Sequence, residues 1–207
     1  MRIDKTTCWY NKEVCHEQML LGAKGKLWPV LERSDHFPIL KNLIDSTEEG
    51  CVTLLDVGCG AADLSRVLSG YFYTGADLEN IIKNVARKMH PNKSYVHFDI
   101  YDGPQSCEFV SEYDIVVMNA FIDVLENPLR GLENILKNAN KYVIIHRQEI
   151  DKGKTRVVKN PSYGGVTYHS IINQNDLDDI LTKHKFDVVR KIDIFGNSVS
   201  MLLRSKK

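Results

Sequence analysis

The chain has 207 residues, of which 43% are hydrophobic, enough for one domain around a sizeable core. Its 27 Lys and Arg balance 27 Asp and Glu, a neutrality that argues against a nucleic-acid partner, whose phosphates call for a surplus of cations. No apolar run approaches the ~20 residues of a membrane helix, and Met1 to Thr7 has no apolar leader core, so a soluble cytoplasmic protein is expected.

Residues 1–50 predict a helical cap ahead of a main domain at 51–207. Leu27, Val30 and Leu31, then Ile39, Leu40, Leu43 and Ile44, recur at helical intervals, cut into short pieces by Pro29 and Pro38. Such a segment either covers a ligand or packs on a sheet edge. Trp28, just before Pro29, either stacks on a ligand or anchors a short helix.

The most informative stretch follows. Val52 to Leu55 is an apolar run that predicts a buried strand ending at Asp56. Gly58 and Gly60 then allow a sharp turn and close approach of a ligand to the backbone, and Leu64, Val67 and Leu68 begin a helical pattern. Cys59 sits inside the turn. A second short strand, Tyr71 to Ala76, ends at Asp77, followed by Leu78. Asp77 lies 17 residues beyond Gly60, a spacing at which an acid can hold the two hydroxyls of a ribose. Val96 to Asp99 and Ile100 form a third strand end, and Tyr113 to Asn119 and Ala120 a fourth.

Strands are predicted at 52–56, 72–76, 95–98, 114–118, 142–146, 186–195 and 198–204, and helices at 61–69, 79–89, 104–110, 128–139 and 174–184. Strands alternating with helices make a doubly wound parallel sheet. The hairpin signal Phe195-Gly196-Asn197-Ser198 adds an antiparallel strand at the C-terminus. The expected fold is therefore α/β: one Rossmann-like domain with a seven-stranded, mostly parallel sheet. The segment Asp151 to Asn173 fits no regular element and reads as a substrate loop or small hairpin.

Polar residues gather where the fifth strand ends, at His146-Arg147-Gln148-Glu149. A histidine there can take a proton from an attacking hydroxyl, and an arginine can grip a carboxylate or phosphate. Because side chains alternate along a strand, only two of the four need face a pocket. Tyr168 and His169 form a second candidate pair; His16, His36, His90, His97 and His184 have no such context. Five cysteines at scattered spacings, without a Cys-x-x-Cys, predict free thiols and no metal site.

The pieces LLDVGCGAADLS, GADLE, VHFDI and YDIVVMNAFIDVLENP stand in the order found in class I S-adenosylmethionine-dependent methyltransferases, and the chain resembles that family from about Thr53 to Arg204. The resemblance implies S-adenosylmethionine as cofactor, held by Asp56, Gly58, Cys59, Gly60, Asp77, Leu78, Asp99, Ile100, Asn119 and Ala120. Asp56 would face the methionine ammonium or simply cap the turn. His146, His169 and Tyr168 are the candidates for catalysis, and Trp28 and Arg147 for the acceptor. Ala62 replaces a frequent third glycine, and Asp123-Val124 replaces a frequent Glu-His. The Asn-Pro-Pro-aromatic signature of enzymes that methylate planar amines is absent. The expected reaction is methyl transfer to a small-molecule acceptor, at oxygen. The alternative is a non-catalytic, methyltransferase-like protein that binds cofactor or a partner. A nicotinamide-dependent dehydrogenase fits less well, since Asp63 stands where a third glycine would be needed. Nothing in the sequence specifies an oligomeric state.

Overall fold

The computed structural model describes residues 6–102 and 104–207; Met1–Lys5, on which most of the leader reading rests, and Gly103 lie outside the described residues. Among the described residues no helix is long and apolar enough to cross a membrane.

Five parallel strands form the centre: β1 (Thr53–Val57), β2 (Phe72–Asp77), β3 (Ser94–His97), β4 (Ile115–Asn119) and β5 (Tyr142–Asp151), in the order β3-β2-β1-β4-β5. The final hairpin, β8 (Phe186–Asp193) and β9 (Ser198–Ser205), enters antiparallel, with β9 against β5. All seven predicted strands are thus present. Alternation sends neighbouring side chains to opposite faces. Leu54 joins Leu40, Leu43, Ile144 and Leu202 on one face, while Leu55 joins Leu132, Ile135, Val143 and Leu203 on the other.

The helices cover both faces. The cap comprises α1 (Cys8–Asn11), α2 (Glu13–Ala23), a 3-10 turn at Leu31–Arg33 and α3 (Phe37–Asp45). Of these, α3 buries Leu40, Leu43 and Ile44 against the sheet. After β4, α7 (Pro128–Asn138) starts at a proline, is capped by Asn127 accepting from the Arg130 N–H, and buries Leu132, Ile135 and Leu136 on one stripe. Asn173 likewise caps α8 (Gln174–Lys183).

Two strands join the sheet beyond the seven expected. The 151–173 segment, expected as a loop or small hairpin, is a hairpin of β6 (Arg156–Ser162) and β7 (Gly165–Asn173), making nine strands among the described residues. Its turn, Tyr163-Gly164, has φ of +51° and +69°, the mirror-image geometry that matches strand twist. β5 runs on to Asp151 rather than stopping at 146, and β7 pairs with that extension, Glu149 opposite Ile171. Three predicted helices also differ. The 61–69 helix shrinks to α4 (Leu64–Val67), because the turn continues through Ala62 at φ +59°. The 79–89 helix runs as α5 (Glu79–Ile81), a π-turn (Ile82–Ala86) and α6 (Arg87–Met89), and Pro104–Glu112 is 3-10 helix.

Candidate functional site

A cavity of about 310 Å³ opens at the C-terminal ends of β1, β2, β4 and β5, at the low end of the ~300–1,000 Å³ usual for ligand sites. Its floor is the glycine turn. Gly58 and Gly60 have φ of +71° and +54°, and a Cβ on Gly58 would lie 2.2 Å from Phe121 Cδ2, so only glycine fits there. The Asp77 carboxylate braces this turn: Oδ2 accepts from the Gly60 N–H at 2.8 Å and Oδ1 from the Leu78 N–H at 2.7 Å. Burial pushes Asp77 up to about 6, against the pull of those two N–H groups. Asp56 is almost wholly buried and accepts from the Tyr73 hydroxyl at 2.8 Å; burial pushes it up to about 7. Asp99 accepts from the Tyr101 N–H and from the Tyr10 hydroxyl at 3.2 Å. Cys59, Leu78, Ile100, Asn119 and Ala120 line the same cavity.

The roof comes from the cap and from the β6–β7 hairpin. Asn80 Nδ2 donates to the Trp9 carbonyl at 2.6 Å, which fixes α1 above α5. Met19 of α2 reaches down until its Cε would lie 3.1 Å from a Cβ on Gly60. The hairpin tip packs on the cap: a Cβ on Gly164 would meet Val14 Cγ1 at 2.4 Å. Tyr163 at that tip sits 5.1 Å from Trp9 and 5.8 Å from Trp28, ring centre to ring centre.

Of the residues assigned to acceptor and catalysis, Trp28, Arg147 and Tyr168 line the cavity, whereas His146 and His169 are not among its described lining residues. His169 is half-buried, with its Nε2 3.3 Å from Glu149 Oε1. His146 is 1% exposed and lies between Ser200 Oγ, 2.5 Å from its Nδ1, and His36 Nδ1, 3.0 Å from its Nε2. It is His36, from the start of α3, that borders the cavity. Burial pushes His36 down to about 4, with the Arg147 charge adding to the effect. Burial also brings His146 down to about 3, helped by His36 and Arg147, so both imidazoles are neutral at pH 7.

Arg147 reaches the cavity through a distortion. Strand alternation alone would not aim both His146 and Arg147 usefully, and β5 breaks register against β9 between His146 and Gln148. Arg147 occupies that bulge with φ +64°, and its Nε–H donates to Asn119 Oδ1 at 3.2 Å. Ala120, at φ +48°, sends its N–H to the His146 carbonyl at 3.0 Å. Ala120, Arg147 and Tyr163 are non-glycine residues in the left-handed region, and all three line the cavity. Each such residue costs on the order of 1–3 kcal/mol, strain that folds concentrate at working sites.

His36, Trp9, Tyr10 and Tyr163 are cavity residues that the sequence reading passed over. Only Tyr163 has a local trace, the turn pair Gly164-Gly165 beside it; the contact of His36 with His146 joins positions 110 apart in the chain.

A doubly wound sheet with a glycine turn after its first strand, acids ending the second and third, and a final antiparallel hairpin defines the fold of the class I S-adenosylmethionine-dependent methyltransferases. Solved structures agree on the fold. An amino pentose methyltransferase of calicheamicin biosynthesis, CalS10 from Micromonospora echinaspora, superposes with a TM-score of 0.61 at 11% identity, over 84% of this chain and 92% of that one. An S-adenosylmethionine-dependent methyltransferase from Methanosarcina mazei gives 0.61 at 16%, over 83% and 99%. An O-methyltransferase family 2 protein from Planctomyces limnophilus, in complex with apigenin, gives 0.59 at 12%, over 94% and 62%. No curated protein sequence matches this chain. Residues 33–157, more than half of the chain, match the family described as methionine biosynthesis protein MetW, and the chain belongs to that family.

Proposed function

We propose that this protein binds S-adenosylmethionine on its glycine turn and methylates a small acceptor at oxygen. The observation that carries this reading is the juxtaposition of the Gly58–Gly60 cradle, braced by Asp77, with a covered cavity bordered by a neutral histidine, His36. The residues fit the cofactor. Gly58 leaves no room for a Cβ, and each Asp77 oxygen keeps acceptor capacity for ribose beyond its one backbone bond. Asp99 with Ile100 supplies an acid and an apolar wall for adenine, while Asn119 and Ala120 offer backbone beside the methionine end.

The cofactor would supply a methyl group already activated by its sulfonium, so the protein's task is alignment and exclusion of water. The cap and hairpin provide the exclusion. With His36 Nδ1 tied to His146, Nε2 is the nitrogen left to receive the proton of an acceptor hydroxyl. His146 then acts as a positioning residue, fixed from behind by Ser200. Tyr168 contributes to the cavity wall, and His169 has no part in this arrangement.

Calorimetric titration with S-adenosylhomocysteine, NAD and NADP tests the cofactor. S-adenosylhomocysteine is expected to bind alone, and Asp77→Ala to weaken it by ~10- to 100-fold, the value of a lost charge-assisted hydrogen-bond acceptor. Nicotinamide binding without S-adenosylhomocysteine binding overturns the assignment. Transfer of labelled methyl to hydroxylated small molecules tests the reaction, with His36→Ala lowering kcat by ~100-fold. Cofactor binding without turnover on any of them would instead favour the non-catalytic reading.

A further inference from the structure

Charge is distributed unevenly along the cavity. Four of its five acids, Asp56, Asp63, Asp77 and Asp99, belong to the glycine turn and the ends of β1–β3, and the fifth, Glu126, follows β4. Arg147 is the only Lys or Arg among the described lining residues. Its Nε is used by Asn119, and among the described residues it forms no ion pair within 4.0 Å. Asp123 is the carboxylate whose charge it feels, and that group, pushed up to about 6 by burial, is not among the described lining residues. Guanidinium stays protonated even in such surroundings, so the outer N–H groups present a cation that Asp123 offsets only from beyond ion-pair distance.

Besides the acceptor Asp63 Oδ1 at the glycine turn, two donors of this cavity lack a hydrogen-bond partner. Trp9 Nε1 and Thr7 Oγ1 are buried without a hydrogen-bond partner, and both residues line this cavity. Buried polar atoms are rarely left unpaired, and at a ligand site an orphan marks what the ligand brings. Trp9, Trp28 and Tyr163 meanwhile form a cluster of rings beside Arg147. Arg147 is also held there in the β-bulge at a left-handed φ of +64°.

We propose that the acceptor is a carboxylic acid, its carboxylate gripped by Arg147 and its body laid against Trp9, Trp28 and Tyr163. The hydroxyl to be methylated then lies toward His36. The inference rests on reading this cavity as an acceptor site. The same guanidinium chemistry could serve a second carboxylate, that of the cofactor's own methionine, and the experiment separates the two.

Wild-type protein and Arg147→Gln are titrated calorimetrically, with and without saturating S-adenosylhomocysteine, using benzoate, 2-hydroxybenzoate, 4-hydroxybenzoate and the corresponding neutral amides. At least one acid is expected to bind the wild type tenfold or more tighter than its amide. In Arg147→Gln that preference should vanish, with affinity for S-adenosylhomocysteine within twofold of wild type and an unchanged melting temperature; Arg147→Lys should restore part of the preference. Equal affinity of acids and amides across the panel overturns the proposal. So does a tenfold loss of S-adenosylhomocysteine in Arg147→Gln with 5′-methylthioadenosine, which lacks the amino acid, binding as before, because that assigns the arginine to the cofactor. Failure of S-adenosylhomocysteine to bind the wild type counts against the cofactor reading alone, and the acid–amide comparison is then read without it.

Discussion

Buried titratable residues at the site set opposing pH dependences. His36 and His146 are held neutral by burial, at about 4 and about 3, against about 6.5 when exposed. A group whose pKa is lower in the folded state binds its proton in the unfolded chain first. Their stabilising contribution is therefore complete above about pH 6.5 and drains away as pH falls toward 4. Asp56, pushed up to about 7 by burial, behaves in reverse: its contribution is complete below about 4 and is lost as pH rises through 7. Thermal melting between pH 4 and 8 should show both limbs. His146→Gln is expected to flatten the acid limb and Asp56→Asn the neutral one, and a variant with an unaltered profile counts against the corresponding assignment. The acids and glycines that line the cavity at the ends of β1–β3 were legible in the sequence because strand, turn and helix place them by local rules. The histidine pair was not, because residues 36 and 146 meet only through the packing of α3 against β5.

At the scale of elements, the β6–β7 hairpin decides how the cavity is roofed. Its turn places Gly164 at φ +69° with Val14 against it, and a substitution there meets both backbone and contact resistance. Gly196, at φ +61° in the β8–β9 turn, has nothing within 4 Å and isolates the backbone component. Gly196→Ala should cost ~1–2 kcal/mol of unfolding free energy by denaturant titration, and Gly164→Ala more, with faster amide exchange in α2 seen only for the latter. Similar exchange in both variants would show that the tip does not support the cap. Of these elements the sequence revealed the βα units, whose periodicity is strong. It left 151–173 open between a loop and a small hairpin, because the β6 run Arg-Val-Val-Lys-Asn-Pro-Ser lacks alternation where most of the strand lies in water. It concealed the bulge at Arg147, since no glycine marks it.

At the scale of the whole molecule, the centre of the sheet is buried on both faces, and it was readable because β1, β4 and the first half of β5 are mostly apolar. Truncating one of those side chains, as in Leu54→Ala, is expected to lower unfolding free energy by ~2–5 kcal/mol in a denaturant titration, without altering which ligands bind. The nine-stranded arrangement has another consequence. Because β5 carries β9 along one part and β7 along another, the sheet forks and ends in three open strands, β3, β6 and β8, instead of two. Each open strand exposes backbone groups onto which another chain could add and begin an aggregate. Each is also obstructed: β3 has only four residues, β8 is bulged between Val188 and Arg190 and carries Arg190-Lys191, and β6 carries Lys159 and Pro161. Replacing Lys159 and Pro161 together by valine and threonine should leave the chain folded yet raise light scattering during prolonged incubation. Forking the sheet to roof a cavity thus leaves a third border to be kept from sticking to its neighbours.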